Sequence, residues 1–202
     1  MIKTRKDLSF YIKEDGWRNG VNSKTILGRL KFYIRLVIGD ESAYAFNYLK
    51  CLRHLEFHLN NKSLFHKFCY YYYKIRLSRL GARYHIKIFP NTCGYGLRIM
   101  HLSGGGGIIL GVKKIGNYCG VNSGVLTGKN GKGNRITAGD FVVFAPGSKA
   151  FGELTIGNNV LIAPNAVVTK DVPDNVIVAG VPARVIKEKA PSQILVNRDL
   201  KF

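Results

Sequence analysis

Apolar residues follow two different rhythms along this chain. In residues 1–80 they recur at helical spacing. Tyr44, Tyr48, Leu52, Leu55 and Leu59 step by 4, 4, 3 and 4, one stripe of a helix that Asp40 or Ser42 caps. Leu64, Phe68, Tyr71 and Ile75 form a second stripe behind Ser63, with Gly81 as its stop. Thr4 opens a T-x-x-D pattern ending at Asp7, a capping box for a short first helix. From Ala138 onward the period is six. Ala138, Phe144, Ala150, Ile156, Ile162 and Val168 hold one phase. Small residues follow most of them, at Gly139, Ala145, Gly157, Ala163 and Thr169. Val142, Ser148, Leu154, Val160 and Ala166 lie four residues on. A weaker copy at Ile115-Gly116 and Val121-Asn122, with Cys119 and Val125 in the small slots, runs out of phase. The polar, Gly-rich loop 129–135 must absorb the shift.

A period of six is neither that of a helix nor that of a simple strand. It predicts a β-helix in which each hexapeptide forms one flat face of a coil. The aliphatic residue points to the axis, and Gly or Asn (Asn158, Asn159) turns the crowded corner. Each coil covers the next, so the ends need caps. The aromatic helical part and the C-terminal tail supply them. The predicted fold is mainly β: a parallel β-helix over residues 82–187, a helical region over 1–81 and a tail over 188–202. Composition agrees. Nineteen of 23 glycines lie between Gly81 and Gly180, and 15 of 23 aromatics lie in residues 1–80. Residues 70–73 are four tyrosines, which read either as core and subunit interface or as a stacking platform.

At 46% hydrophobic the chain is not disordered. No apolar run reaches the ~20 residues of a membrane span, and residues 1–15 have no secretory h-region. The expected compartment is the cytoplasm. Cys51, Cys69, Cys93 and Cys119 are widely spaced, so no disulfide framework and no metal cluster is expected. The net charge of +19 invites a nucleic-acid reading. It divides as +10 over residues 1–80 (16 Lys+Arg, 6 Asp+Glu) and +9 over 81–202 (15 and 6). So spread, it forms no reading head, and no nucleic-acid partner is expected.

The stretches Ile156-Gly157-Asn158-Asn159, Val167-Val168-Thr169-Lys170-Asp171-Val172-Pro173-Asp174-Asn175 and Gly180-Val181-Pro182-Ala183-Arg184 resemble the closing segment of hexapeptide-repeat acyltransferases. Upstream, Gly94-Tyr95-Gly96-Leu97-Arg98-Ile99-Met100-His101 resembles the serine O-acetyltransferase branch, as does the helical N-terminal part. The resemblance implies a left-handed β-helix, acetyl-CoA as co-substrate, and a homotrimer with sites between subunits, or a hexamer through the helical region. It also implies His101 as the general base. Histidine suits that task because its ordinary pKa lies near working pH. The run of four glycines 104–107 beside it offers amide donors. His54, His58 and His66 read as surface or helix-packing residues, and His85 precedes the β-helix. Positions matching the family's CoA contacts are Gly128, Ala145, Pro146, Ala163, Pro164, Thr169, Lys170, Arg184 and Lys187. The small residues would bed the pantetheine arm and the basic ones would face phosphates.

The chain also departs from serine acetyltransferases. Lys87 and Met100 stand where that branch carries carboxylates that support the histidine. Its second histidine falls in the loop read here as Gly133-Asn134-Arg135-Ile136. Asn134 and Arg135 become the acceptor-binding candidates, and Arg135 can hold a hydroxyl or a carboxylate but cannot act as a base. The sequence reading therefore puts a sugar hydroxyl on a polysaccharide precursor first as acceptor, and serine second. The terminal Asp199-Leu200-Lys201-Phe202 also argues against serine, because that branch's partner-binding tail ends in isoleucine. A β-helix carbonic anhydrase needs three histidine zinc ligands and is excluded, since only His101 lies within the coils. A non-catalytic basic binding or scaffold protein remains a third reading. Peripheral association with an anionic membrane is one use for the +10 of the helical region.

Overall fold

The computed structural model describes residues 1–21, 25–129, 133 and 135–190. Among these residues four helices come first: α1 (Arg5–Arg18), α2 (Ile26–Val37), α3 (Glu41–Leu59) and α4 (Leu64–Tyr84). The capping signals act as read. Thr4 and Asp7 form a reciprocal box on α1, Asp40 caps α3 and Ser63 caps α4. Helix α2, capped by Thr25, was not foreseen. Gly81 is not a stop. It lies inside α4, where a Cβ would sit 2.7 Å from the Ile86 carbonyl oxygen, and the helix closes at left-handed His85.

Among the described residues, fourteen short strands follow. They are β1 (Ile86–Ile88), β2 (Arg98–Met100), β3 (Ile108–Leu110), β4 (Lys114–Ile115), β5 (Gly120–Asn122), β6 (Leu126–Gly128) and β7 (Thr137–Ala138). Then come β8 (Val143–Phe144), β9 (Lys149–Phe151), β10 (Thr155–Ile156), β11 (Leu161–Ile162), β12 (Val167–Val168), β13 (Val176–Gly180) and β14 (Ala183–Glu188). They stack into three parallel faces of a prism. Face A runs β1-β3-β6-β9-β12, face B runs β4-β7-β10, and face C runs β2-β5-β8-β11-β13, with β14 added antiparallel at its end. Every member of the six-residue phase from Ala138 to Val168 is buried on the axis, and Ile115 and Val121 of the weaker copy join it. The phase shift falls between β6 and β7, as the loop reading required. Cys93 and Cys119 fill axial positions as small apolar groups, and burial pushes both thiols up to about 12.

The helical region caps the first coil by supplying hydrogen-bond partners to its open edges. On face A, Ile88 N–H donates to the Tyr48 hydroxyl at 3.0 Å. On face C, the Asn19 side-chain amide stands in for a strand, donating to the Leu97 carbonyl at 2.9 Å and accepting from Ile99 N–H at 3.2 Å. The chain entering face B is held by buried Arg53, which donates to the carbonyls of Cys93 and Gly94 and pairs with Asp15 at 2.7 Å and Glu56 at 3.0 Å. Glu56 in turn accepts from Asn91 N–H, and Asp15 from Leu97 N–H. One guanidinium thus ties α1, α3 and the first coil together. At the other end, β14 covers β13 and Lys189 donates to Asn159 at 2.8 Å.

Helix α4 packs a different stripe from the one read in the sequence. Tyr70, Tyr73, Leu77, Leu80 and Tyr84, at steps of 3, 4, 3 and 4, lie against the core. Leu64, Phe68, Tyr71 and Ile75 are exposed. The four tyrosines therefore split, with Tyr70 and Tyr73 inward and Tyr71 and Tyr72 outward. His54 stacks on Tyr73 at 4.9 Å, and His58 meets His66 at 2.8 Å between Nδ1 atoms, so these histidines are packing residues.

Candidate functional site

His101 follows β2 directly and begins the edge between faces C and A. It sits in the left-handed region (φ 58°), exposed, and its imidazole has no hydrogen-bond partner among the described residues. The edge is enlarged there. Residues 101–107 separate β2 from β3, whereas 123–125, 145–148 and 163–166 make the same turn in the coils below. The added chain is the glycine run. Gly106 is required, since a Cβ there would lie 2.6 Å from the Gly124 amide nitrogen of the next coil. Gly104 donates back to the His101 carbonyl at 3.1 Å, and Ile108 to that of His85 at 2.8 Å. Glu41, at the start of α3, fastens this excursion. Its Oε1 accepts from Ser103 N–H at 2.9 Å and also from the Ser103 hydroxyl. No sequence signal points to Glu41, because 62 residues separate the two.

Strand register places four of the CoA candidates on the same edge. Arg98–Met100 pair with Gly120–Asn122, Val121 with Phe144, and Phe144 with Ile162. Ala145 and Ala163, one residue past β8 and β11, therefore stack below the turn that His101 starts. Pro146 and Pro164 beside them are exposed. Ala145 N–H donates to the Ile162 carbonyl and Ala163 N–H to that of Val178, which carries the column on to Ala179. Arg184 pairs with Ala179 on β14, so an exposed guanidinium ends the column. Lys187 is exposed further along β14, opposite Ile177.

The other candidates lie elsewhere. Gly128 ends β6 in register with Phe151, and Thr169 and Lys170 follow β12. These three mark the edge between faces A and B, one face away from His101. Lys87 points outward from face A, and its ammonium lies 5.7 Å from the centre of the Phe89 ring. Arg135 covers the same ring at 5.0 Å. Within one chain the structure therefore sets Arg135 against the first coil's aromatic and does not bring it to His101. Arg135 also lines an open hollow of about 600 Å³ with Thr92, Lys113, Glu153 and Asp171. Asn134 lies outside the described residues. No described helix is long and apolar enough to cross a membrane.

This geometry is a flat-sided prism with one enlarged edge, small residues stacked beneath an exposed imidazole, and a basic end. No family model matches the chain. Among curated proteins it is 40% identical over 100 residues to a serine acetyltransferase of Synechococcus elongatus, covering 47% of this chain and 40% of that one. It is 37% identical over 122 residues to a serine acetyltransferase of Helicobacter pylori, covering 57% of this chain and 69% of that one. The chain thus matches less than half the length of the first relative and about two thirds of the second. The solved serine acetyltransferase of Brucella abortus in complex with coenzyme A shares the fold, with a TM-score of 0.67 at 22% identity over 92% of this chain and 70% of that one. The prism is accordingly a left-handed parallel β-helix, and the chain belongs to the hexapeptide-repeat acyltransferases, in their serine O-acetyltransferase-like branch.

Proposed function

We propose that this chain transfers an acetyl group from acetyl-CoA to the hydroxyl of serine, with His101 as general base. The single observation that carries the reading is the exposed His101 at the head of a column of small residues that ends at Arg184. Serine replaces the sugar hydroxyl that the sequence reading put first. Four of the five curated relatives are serine acetyltransferases, matched over 90 to 122 residues, whereas the fifth, a galactoside O-acetyltransferase of Escherichia coli, is matched over 56 residues, 28% of this chain.

In this reading an imidazole nitrogen of His101 takes the proton of the serine hydroxyl as that oxygen attacks the thioester carbonyl carbon. Negative charge collects on the carbonyl oxygen. The glycine run beside His101 is the local source of amide donors for it. The intermediate collapses, the carbon–sulfur bond breaks, and the proton on His101 passes to the departing thiolate. The products are the O-acetyl ester and CoA thiol. Ala145, Pro146, Ala163 and Pro164 present little side chain, which suits a pantetheine arm lying along the edge. Arg184, Lys187 and Lys170 are exposed cations suited to its phosphates. Gly128, Thr169 and Lys170, one edge away from His101, contribute if neighbouring subunits pack along the prism. The homotrimer that the resemblance implies would supply such packing. Asn134 and Arg135 would then address the acceptor of an adjoining subunit, with Arg135 on its carboxylate.

Thiol release from acetyl-CoA, read with serine and with sugar acceptors in parallel, tests the reading. Serine should be turned over fastest. His101→Ala should lower kcat/KM by about 10²–10⁴ without changing the melting temperature. Faster turnover of a sugar removes serine as the acceptor. An unchanged rate in His101→Ala removes the base and favours a non-catalytic binding protein.

A further inference from the structure

Helix α2 is docked by one side only. Phe32 is buried against Val21, Ala43 and Phe46, and its ring meets Phe46 edge-on at 5.4 Å. Arg35 fixes the C-terminal end, donating to the Gly20 carbonyl and pairing with Asp40. On the outer side, Ile26, Leu27, Leu30, Tyr33, Ile34, Val37 and the cap residue Ile38 are all exposed, Ile26 and Val37 by 87% and 86%. At roughly 100° of rotation per residue these side chains fill a continuous arc of about 140°. Lys31 stands just beyond one margin of the arc and Arg29 beyond the other, and both are exposed. From Asp15 to Asp40 there is no acidic residue, while Arg18, Lys24, Arg29, Lys31 and Arg35 supply five cations.

We propose that this face of α2 rests on an anionic phospholipid bilayer, a function separate from acetyl transfer. A wide, convex apolar arc bordered by Lys and Arg is the pattern of a helix lying in the membrane–water interface. At twelve residues α2 is about 18 Å long, too short to cross a ~30 Å hydrocarbon core. Charge selects this occupant over a second copy of the chain. Two α2 faces brought together would set Arg29 and Lys31 of one copy against those of the other, whereas anionic headgroups neutralise both margins. The placement also gives the +10 of residues 1–80 a use that the solenoid's chemistry does not provide.

Vesicle flotation of the full chain tests the proposal, with phosphatidylcholine alone and with phosphatidylglycerol mixed in. The chain should float with the anionic vesicles, about tenfold less with the neutral ones, and come off as salt rises. Leu30→Glu combined with Val37→Glu should abolish flotation. Lys31→Glu, on an exposed position, should weaken it about fivefold at low salt and serves if the double variant unfolds. Thiol release in vesicle-free solution should be unchanged by these variants. Failure of the wild-type chain to float with anionic vesicles overturns the proposal. So does equal flotation of wild-type and variant chains. A lower assembly mass of the double variant in lipid-free solution assigns the face to a second copy and overturns it as well.

Discussion

The solenoid and the helical region treat apolar residues in opposite ways. In the solenoid the hexapeptide phase is buried to the last residue, and each coil is the partner of the next. In the helical region, α3 is buried along most of its length, but α2 and α4 each turn a row of large apolar side chains outward. The solenoid is finished by its own repetition. The helices finish the solenoid, capping its first coil through Tyr48, Asn19 and Arg53, and leave their outer faces for something beyond the chain. A repeat fold settles its burial locally, whereas a cap has two sides, only one of which the repeat dictates.

Substitutions that weigh one region against the other sharpen this contrast. Phe144→Ala, on the fully buried axis, should cost about 4 kcal/mol in urea unfolding. A cost near zero would mean that the axis is not packed as described. Arg53→Met breaks the tie between the regions and leaves Asp15 and Glu56 buried without their partner. It should cost about 3 kcal/mol, and a second unfolding transition would show helices and solenoid separating.

Acid should act on the helical region through His54. Burial against Tyr73, with Lys50 nearby, pushes its pKa down to about 4 from 6.5. The folded state thus favours the neutral ring. The stability it gives is present above pH 6.5 and is lost as pH falls toward about 4. With allowance for the solvent its half-buried ring still meets, the loss is about 2 kcal/mol. His54→Phe keeps the stacking and should flatten the fall in melting temperature between neutral and acidic pH; a fall as steep as wild type's would clear His54. Smallest of all should be Phe68→Ala on the outer face of α4, within about 0.5 kcal/mol. A larger loss would mean that this face is covered in the assembled protein.

The site divides along the same line as the fold. His101, Ala145, Pro146, Ala163 and Pro164 were legible through the resemblance to the acyltransferase family, and strand register sets them along one edge once the coils stack. Glu41 was not, because its contact with Ser103 depends on how α3 docks against the first coil. The contact of Arg135 with Phe89 was equally hidden, since it crosses coils of different phase.

The sequence by itself determined the β-helix, its axial column and the capping residues of α1 and α4. These follow from spacing along the chain, which needs no knowledge of what lies opposite. Only the tertiary structure decided which stripe of α4 is inside. Leu64, Phe68, Tyr71 and Ile75 are as apolar as Tyr70, Tyr73, Leu77, Leu80 and Tyr84, so periodicity cannot choose between them. Contact with α3 and the first coil chooses the second. The same docking buries Phe32 and leaves the rest of α2 outside, because burial is a property of two surfaces and a sequence pattern describes only one.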